Sequence, residues 1–296
     1  MIESVKSKVV IVFGDDARID TRVKAIINMG KDEFNFILIH WSKSDEPLDN
    51  VVTFPFKFPR FRRLGVFNFL PKILFQFFVV FKLFAIKNIR IIHILNSDIA
   101  LLSIFYSKIA KKIVILDLLD YLSETLITLP NSVLKIFKIT EDFTIKLAHN
   151  IVLVDENRMS QISHIKGIST TIVNNVAEYS SIVDSDAKES DLIYVGVLNS
   201  DRGIEKLINL AKNNLSIQLV IAGRKSGFDT KTVENCQNIN YLGEINYEYA
   251  INLIRRTKIM VAIYDPSVLN NRKSNTTTTT STSRVATRTT PRECGT

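Results

Sequence analysis

Cysteine is nearly absent from these 296 residues: Cys236 and Cys294 stand far apart and without metal-ligand spacing. That excludes a disulfide framework and argues against a zinc site, and a reducing cytoplasm fits. A secretory leader is also wanting. The opening MIESVKSKVVIVFG has charges and a short apolar run flowing into a glycine, with no small-residue cleavage site, and it reads as a first strand. No apolar run reaches the ~20 residues of a membrane-crossing helix, because Asn68, Pro71, Lys72, Gln76 and Lys82 interrupt the longest one. The first turn, GDDAR from Gly14, lacks G-x-G-x-x-G spacing, and Asp15 and Asp16 would repel a pyrophosphate. A dinucleotide site there is disfavoured. Basic residues spaced to track nucleic-acid phosphates are missing too, since those between 57 and 90 alternate with large aliphatics. Nucleic acid is not an expected partner.

What is present is ordinary in bulk. Apolar residues make up 46% and charged residues 23%, the balance of a soluble globular protein, and the length suffices for two domains. The net charge of +8 is unevenly placed. Arg272, Lys273, Arg284, Arg288 and Arg292 against Glu293 give the last residues an excess of four positive charges, and much of the rest lies around Lys57 to Arg90. Localised basic charge of this kind suits an anionic lipid surface.

The chain then alternates short apolar runs with helical spacing. Val9–Phe13 reads as a buried strand, and Val23, Ile26 and Ile27 lie on one face of a helix ending at Gly30, which suits a C-cap. Phe36–His40 follows as a second strand, so a parallel sheet with covered faces is expected. Ile91–Leu95 and Ile113–Leu116 are further strands, with Asn96, Ser97 and Asp98 suited to cap the helix between them. Asp117 stands at a carboxyl strand end and Asp120 in the loop beyond it. Ligands bind at such ends, which makes both candidates, while the plainer alternative is that they cap the next helix. Glu141–Ala148 reads as helix, Ile151–Val154 and Thr170–Val173 as strands.

Residues 54–90 are the unusual stretch. The helix after Pro71 is apolar around most of its circumference, so it is either buried on nearly every side or pressed into a bilayer surface. Lys57, Arg60, Arg62 and Arg63 just before it favour anionic lipid.

The stretch LIYVGVLNSDRGIEKLINLA, 192–211, is a buried strand, a glycine turn at Gly196, a polar loop, and a helix faced by Ile204, Leu207, Ile208 and Ala211. Asn199, Ser200 and Asp201 suit helix capping. Backbone N–H groups and Arg202 meet at a helix N-terminus, which is an anion site in waiting. The plainer alternative makes Gly203 a packing residue and Arg202 a solvated charge. Gln218–Ala222, ended by Gly223 and Arg224, and Ile239–Leu242, ended by Gly243, continue the pattern, before a helix over Tyr247–Thr257 and a strand over Ile259–Tyr264. The run TTTTTSTSRVATRTT, 276–290, is too poor in apolar residues to offset ordering entropy, so disorder is expected there.

Over about residues 9–275 these segments resemble a GT-B glycosyltransferase of family 4, the "group 1" sugar transferases. Asp20, Arg22 and Val23 look like its D-x-R-V, IIHILNSD (91–98) its strand ending in His and Asp, and ILDLLDYLSE (115–124) its YD-x-HE segment. ITEDFTIKLAHNIVLVDENRMSQI (139–162) resembles its E…A-D-x-V-I-x-V-S helix and strand, and IVNNV (172–176) its hinge. YVGVLNSDRGIEKLINLA, LVIAGRKSG and INYLGEINYEYAINLIRRTKIMVAIYDPS match its second-half motifs in order and separation.

The resemblance implies an α/β fold of two Rossmann-like domains, the second incomplete. Its boundaries are an acceptor domain over 1–176 with a membrane-facing region about 54–90, a hinge over 177–190, a donor domain over 191–270, and a disordered tail over 271–296. It implies a retaining transferase moving a sugar from a nucleotide-diphosphate donor to a lipid-linked or glycan acceptor at the cytoplasmic face of the cell membrane. No cofactor or metal is needed, because side chains and a helix N-terminus neutralise the phosphates. Gly196, Arg202, Gly203, Gly223 and Arg224 then bind donor, with Arg202 on the diphosphate. Gly14, Asp16, Arg22 and His93 belong to the acceptor side, and Asp117 and Asp120 hold sugar hydroxyls as catalytic candidates. The chain departs from the pattern in three places. Val197 replaces a phosphate-binding arginine, Leu119 replaces the histidine of YD-x-HE with Asp120 at the glutamate position, and a Thr-rich tail stands where P-x-K-x-x-E-x-x-A-x-G-x-P-V-I is expected. Weak donor binding and little turnover are therefore expected. The rival readings are a non-catalytic membrane-associated binding module and a GT-B sugar-nucleotide epimerase.

Overall fold

The run SKVVIVF is apolar on both strand faces, so it belongs where both are covered. In the computed structural model it forms β1 (Ser7–Phe13), a central strand whose last five residues are buried. The structure describes residues 6–17, 20–42, 48, 51–59, 69–125, 130–174, 188–199, 202–226, 229–233 and 236–263. Expectations that rest on Arg60, Arg62, Arg63, Ser200, Asp201, most of the hinge and the whole Thr-rich tail lie outside these.

The chain divides into two compact units, Met1–Asn175 and Val176–Thr296. In the first, β1 is followed by α1 (Thr21–Gly30), β2 (Phe34–His40), β3 (Val52–Pro55), α2 (Phe69–Ala85) and β4 (Ile89–Leu95). Then come α3 (Leu101–Ile109), β5 (Ile113–Leu118), α4 (Leu122–Thr125), α5 (Asn131–Leu147), β6 (Asn150–Leu153), α6 (Met159–Ile162) and β7 (Ser169–Ile172). The seven strands pair in the order β3-β2-β1-β4-β5-β6-β7, all parallel. Alternate residues of β1 face opposite layers. Val10 and Val12 pack with Phe75, Val79 and Leu83 of α2, Ile104 of α3 and Ile145 of α5. Val9, Ile11 and Phe13 pack with Val23 and Ile27 of α1.

The second unit holds β8 (Ser190–Val195), α7 (Ile204–Asn213), β9 (Leu219–Ala222), β10 (Ile239–Tyr241), α8 (Tyr247–Arg255) and β11 (Thr257–Met260). Its strands run β10-β9-β8-β11, again parallel. Ile204, Leu207, Ile208 and Ala211 of α7 bury their shared face on Tyr194, Leu219 and Ile221, as their spacing requires. Both sheets therefore have a point where strand order reverses, between β1 and β4 and between β8 and β11. The carboxyl ends of the strands at such points form a crevice.

Several local expectations change. Gly30 is the last residue of α1 and keeps helical φ; the cap is Lys31, also right-handed. A Cβ at Gly30 would lie 2.7 Å from the Phe36 ring, so the glycine makes room for an aromatic side chain and is not a left-handed C-cap. Helix α5 begins at Asn131, ten residues before the expected start, because Pro130 opens it and Glu141 sits inside it as a buried carboxyl.

Helix α2 departs from the first of the two options its composition left. Phe75, Gln76, Val79 and Leu83 are buried, but Leu70, Ile73, Leu74, Phe77, Phe81 and Phe84 are exposed, Phe81 and Phe84 by 69% and 71%. It is therefore not surrounded by core on nearly every side. Polar ties hold it in place: Gln76 donates to the Asp98 carbonyl and accepts from the Leu102 amide, Lys72 Nζ lies 2.5 Å from Asp98, and the Tyr106 hydroxyl donates to the Leu83 carbonyl. The exposed apolar side chains continue onto α3 with Phe105 and Ile109, and onto α5 with Ile136, Ile139 and Phe143. The Phe105 and Phe143 rings, 6.1 Å apart, join the two helices. Among the described residues no helix is long and apolar enough to cross a membrane.

Candidate functional site

Each unit presents candidate residues at the carboxyl edge of its own sheet. In the first unit, three residues far apart in sequence converge. Asp117 is the penultimate residue of β5 and is covered, 1% exposed. Arg22, from the first turn of α1, donates from Nε to Asp117 Oδ2 at 2.7 Å and from Nη1 to the Val173 carbonyl at 3.1 Å. His93 of β4 brings Nε2 to 3.4 Å from the same Oδ2, and Asp117 Oδ1 is buried with no hydrogen-bond partner among the described residues. The trio ties α1 to β4, β5 and the segment after β7. The Asp117 carboxylate is engaged with Arg22 rather than with the next helix. The first amides of that helix meet Glu141 of α5, whose carboxyl accepts from Leu122 and Ser123 at the start of α4 and from the Ser97 hydroxyl.

Asp120 is the accessible carboxylate of the pair, 55% exposed, with Oδ1 3.3 Å from Nη2 of the buried Arg158. Its loop is set by a residue whose role the sequence hides. Asn96 has a positive φ of 77°, and its side chain, expected to cap a helix, instead accepts from the Leu119 and Asp120 amides. Asn tolerates the left-handed region and carries an acceptor on a short stem, so it can bridge two loops here. Asp16 and Gly14 lie at the end of β1. Asp16 accepts from the Ser42 hydroxyl and faces the buried His40, whose Nδ1 accepts from the Ala17 amide. A Cβ at Gly14 would come to 3.3 Å from Ile99, a tight but bearable contact.

Burial raises the Glu141 pKa above the usual carboxylate range, with the three donors opposing it in part. A raised folded-state value means the folded chain binds more protons than the unfolded one, so this carboxyl stabilises at low pH and the contribution is lost as pH rises from about 4.5. Glu141→Gln removes the titration but turns one acceptor into a donor, at a cost of about 1 kcal/mol. The stability difference between wild type and Glu141→Gln is expected to shrink as pH rises through this range in urea titrations. Tyr121 is likewise pushed up, first by burial and then by its bond to Asp142.

In the second unit the glycine turns fit together at backbone level. The Gly196 amide donates to the Ala222 carbonyl, Leu198 to Arg224, and Ser226 back to Leu198, so parallel pairing of β8 with β9 continues into both loops. Gly223, at φ +142°, has its α-carbon so close to Gly196 that a Cβ would lie 1.7 Å from the Gly196 carbonyl oxygen. The Gly223 amide then reaches the Gly243 carbonyl at 2.7 Å. Gly203 is the N-cap of α7, left-handed at φ +60°, and a Cβ there would strike Ile263 at 2.4 Å. As N-cap, Gly203 has no side chain to offer the first turn of α7. The expected capping by Ser200 and Asp201 lies outside the described residues; the first-turn amides form the positive end of the helix, with Arg202 directly before them. Arg224 is exposed beside Gly223. Among the described residues no group of three or more His, Cys, Asp or Glu is placed to hold a metal ion.

No family model matches the chain, and no curated protein matches it. Solved structures do. Sucrose-phosphate synthase from Thermosynechococcus elongatus superposes with a TM-score of 0.66 at 11% identity, covering 88% of this chain and 77% of that one. The trehalose-6-phosphate structure from E. coli bound with UDP-2-fluoro glucose gives 0.65 at 10%, covering 87% and 78%. A UDP-N-acetylglucosamine 2-epimerase from Listeria monocytogenes gives 0.58 at 9%, covering 87% and 74%. The fold is thus the α/β, Rossmann-like GT-B fold that glycosyltransferases and sugar-nucleotide epimerases share.

Proposed function

We propose that this protein is a retaining glycosyltransferase that takes a sugar from a nucleotide-diphosphate donor and passes it to a lipid-linked or glycan acceptor at an anionic membrane surface. The observation that carries the reading is the glycine start of α7, with Arg202 before it and the interlocked Gly196 and Gly223 turns beside it. Backbone amides and a guanidinium there meet the charge that develops on a departing diphosphate, without a metal. Arg224 adds a second cation on the same edge. Asp120 and the Gly14–Asp16 end of β1 offer hydroxyl-binding groups on the acceptor side, while Asp117 holds Arg22 and His93 in place. Residues 271–296 contain a single acidic residue, Glu293, so donor binding is expected to outlast turnover.

The exposed apolar side chains of α2, α3 and α5 support the membrane part. Acidic side chains are absent from α2 and α3, and Lys82, Lys87, Lys108, Lys111 and Lys112 accompany them. An apolar face bordered by lysines matches an anionic bilayer. The epimerase neighbour keeps one rival in view: formation of a new sugar nucleotide without any acceptor would favour it.

Isothermal titration with UDP and GDP tests the donor site. Arg202→Ala is expected to weaken binding about 10- to 100-fold, the worth of one charged hydrogen-bonding contact. Unchanged affinity, or no nucleotide bound by the wild type, would sink the proposal.

A further inference from the structure

At the rim of the apolar face lies a hollow of about 390 Å³ between α5 and the turn after α6. Asp142, Phe143, Lys146, His164, Ile165 and Lys166 line it. Phe143 belongs to both places, since its ring also meets Phe105 in the exposed apolar layer. The one carboxylate in the hollow is engaged: Asp142 accepts from the Tyr121 hydroxyl through Oδ1, and His164 Nε2 lies 3.0 Å from its Oδ2. Lys146 and Lys166 are exposed, and neither has an ion-pair partner among the described residues. A small concavity with two uncommitted ammonium groups, opening beside an apolar face, matches a phosphate that is attached to an apolar chain.

We infer that this hollow seats the phosphate of an anionic lipid headgroup while the apolar face of α2, α3 and α5 enters the outer part of the bilayer. The inference rests on the membrane reading given under the proposed function and adds a defined headgroup site to it. With the Phe143 ring among the acyl chains, Lys146 and Lys166, which line the same hollow, offer their ammonium groups to the phosphate. Asp142, fixed by Tyr121 and His164, keeps the imidazole turned along the wall of the hollow. Two lysines in one concavity bind a phosphate together, whereas lysines spread along a helix act only through the surface potential.

The test is co-sedimentation of the full chain with phosphatidylcholine vesicles, with and without phosphatidylglycerol. The double variant Lys146→Gln/Lys166→Gln is expected to lose about 100-fold in binding to the anionic vesicles, about tenfold for each charged hydrogen-bonding contact with the phosphate. Lys135→Gln/Lys138→Gln removes the same charge from the same helix outside the hollow and is expected to lose several-fold less. Equal losses would mean diffuse attraction alone and would overturn the headgroup site. Phe77→Ser/Phe81→Ser examines the underlying membrane reading separately, because its vesicle binding must fall whatever the hollow does. Inorganic phosphate is the remaining arm. If phosphate alone shifts the His164 ring signals in NMR spectra while the lysine variant keeps full vesicle binding, the hollow takes a free anion and the lipid assignment fails. UDP titration and thermal melting of each variant, both expected unchanged, confirm that it is folded and that the donor site is untouched.

Discussion

Replacing Gly223 with alanine is expected to lower unfolding free energy by about 3–5 kcal/mol, because two costs fall on one methyl group. The first is conformational: φ at +142° is a region that side chains avoid. The second is steric. The new Cβ would lie 1.7 Å from the Gly196 carbonyl oxygen, and neither atom can rotate away, since both belong to backbone pinned by the Gly196–Ala222 and Gly223–Gly243 hydrogen bonds. The loops must separate, which opens the extension of β8 against β9 and displaces the turn leading to Arg202. Gly243 supplies the control. It has a positive φ of 72° but nothing within 4 Å of its missing Cβ, so Gly243→Ala is expected to cost only about 1–2 kcal/mol. Urea unfolding of the two variants separates the causes. Equal losses would show that the contact between the two glycine turns contributes nothing.

That contact also marks where sequence reading stops. Strand-ending glycines at 196, 223 and 243 are legible as punctuation, and a parallel sheet follows from apolar runs alternating with helical spacing. Which glycines touch is not legible, because it depends on the register between β8 and β9. Most strands are readable to within two or three residues, since buried parallel strands announce themselves by unbroken β-branched runs, but the partly exposed edge strand β3 carries no such signal and β11 stops at Met260, short of the expected Tyr264. Helix α5 was half hidden, because Glu141 interrupts its apolar stripe yet is buried as the acceptor for α4. In α2 the composition showed an apolar circumference, but only packing tells which side the sheet takes, and Phe75, Val79 and Leu83 took it. At the candidate sites, residue types at strand ends were readable, whereas the pairing of Arg22 with Asp117 spans 95 residues and carries no local signal. Asn96 was misassigned for a related reason. Its side chain serves a neighbouring loop that sequence proximity cannot reveal.

Asp117→Leu is expected to cost about 3–5 kcal/mol, chiefly by leaving the Arg22 guanidinium buried without its counter-charge. Arg22 is 9% exposed on its side chain and Asp117 1%, so solvent offers neither partner much relief. If the cost is indeed an orphaned charge, removing both charges repairs it. Arg22→Met/Asp117→Leu is expected to recover at least 2 kcal/mol relative to the single variant, since a buried ion pair replaced by apolar side chains is often near neutral. Failure to recover would locate the cost in the Arg22 bond to the Val173 carbonyl or in the His93 contact. The same pair of variants separates positioning from contact with substrate. Under the proposed transferase function, a carboxylate this covered and bonded to Arg22 acts on transfer through the placement of α1 and of the neighbouring His93. A double variant that regains stability and also retains UDP affinity at Arg202, yet binds acceptor poorly, is the outcome that role requires. Full acceptor binding in the double variant would instead reduce the trio to a structural clamp, and would leave Asp120, open to solvent and held by Arg158, as the carboxylate that meets the sugar.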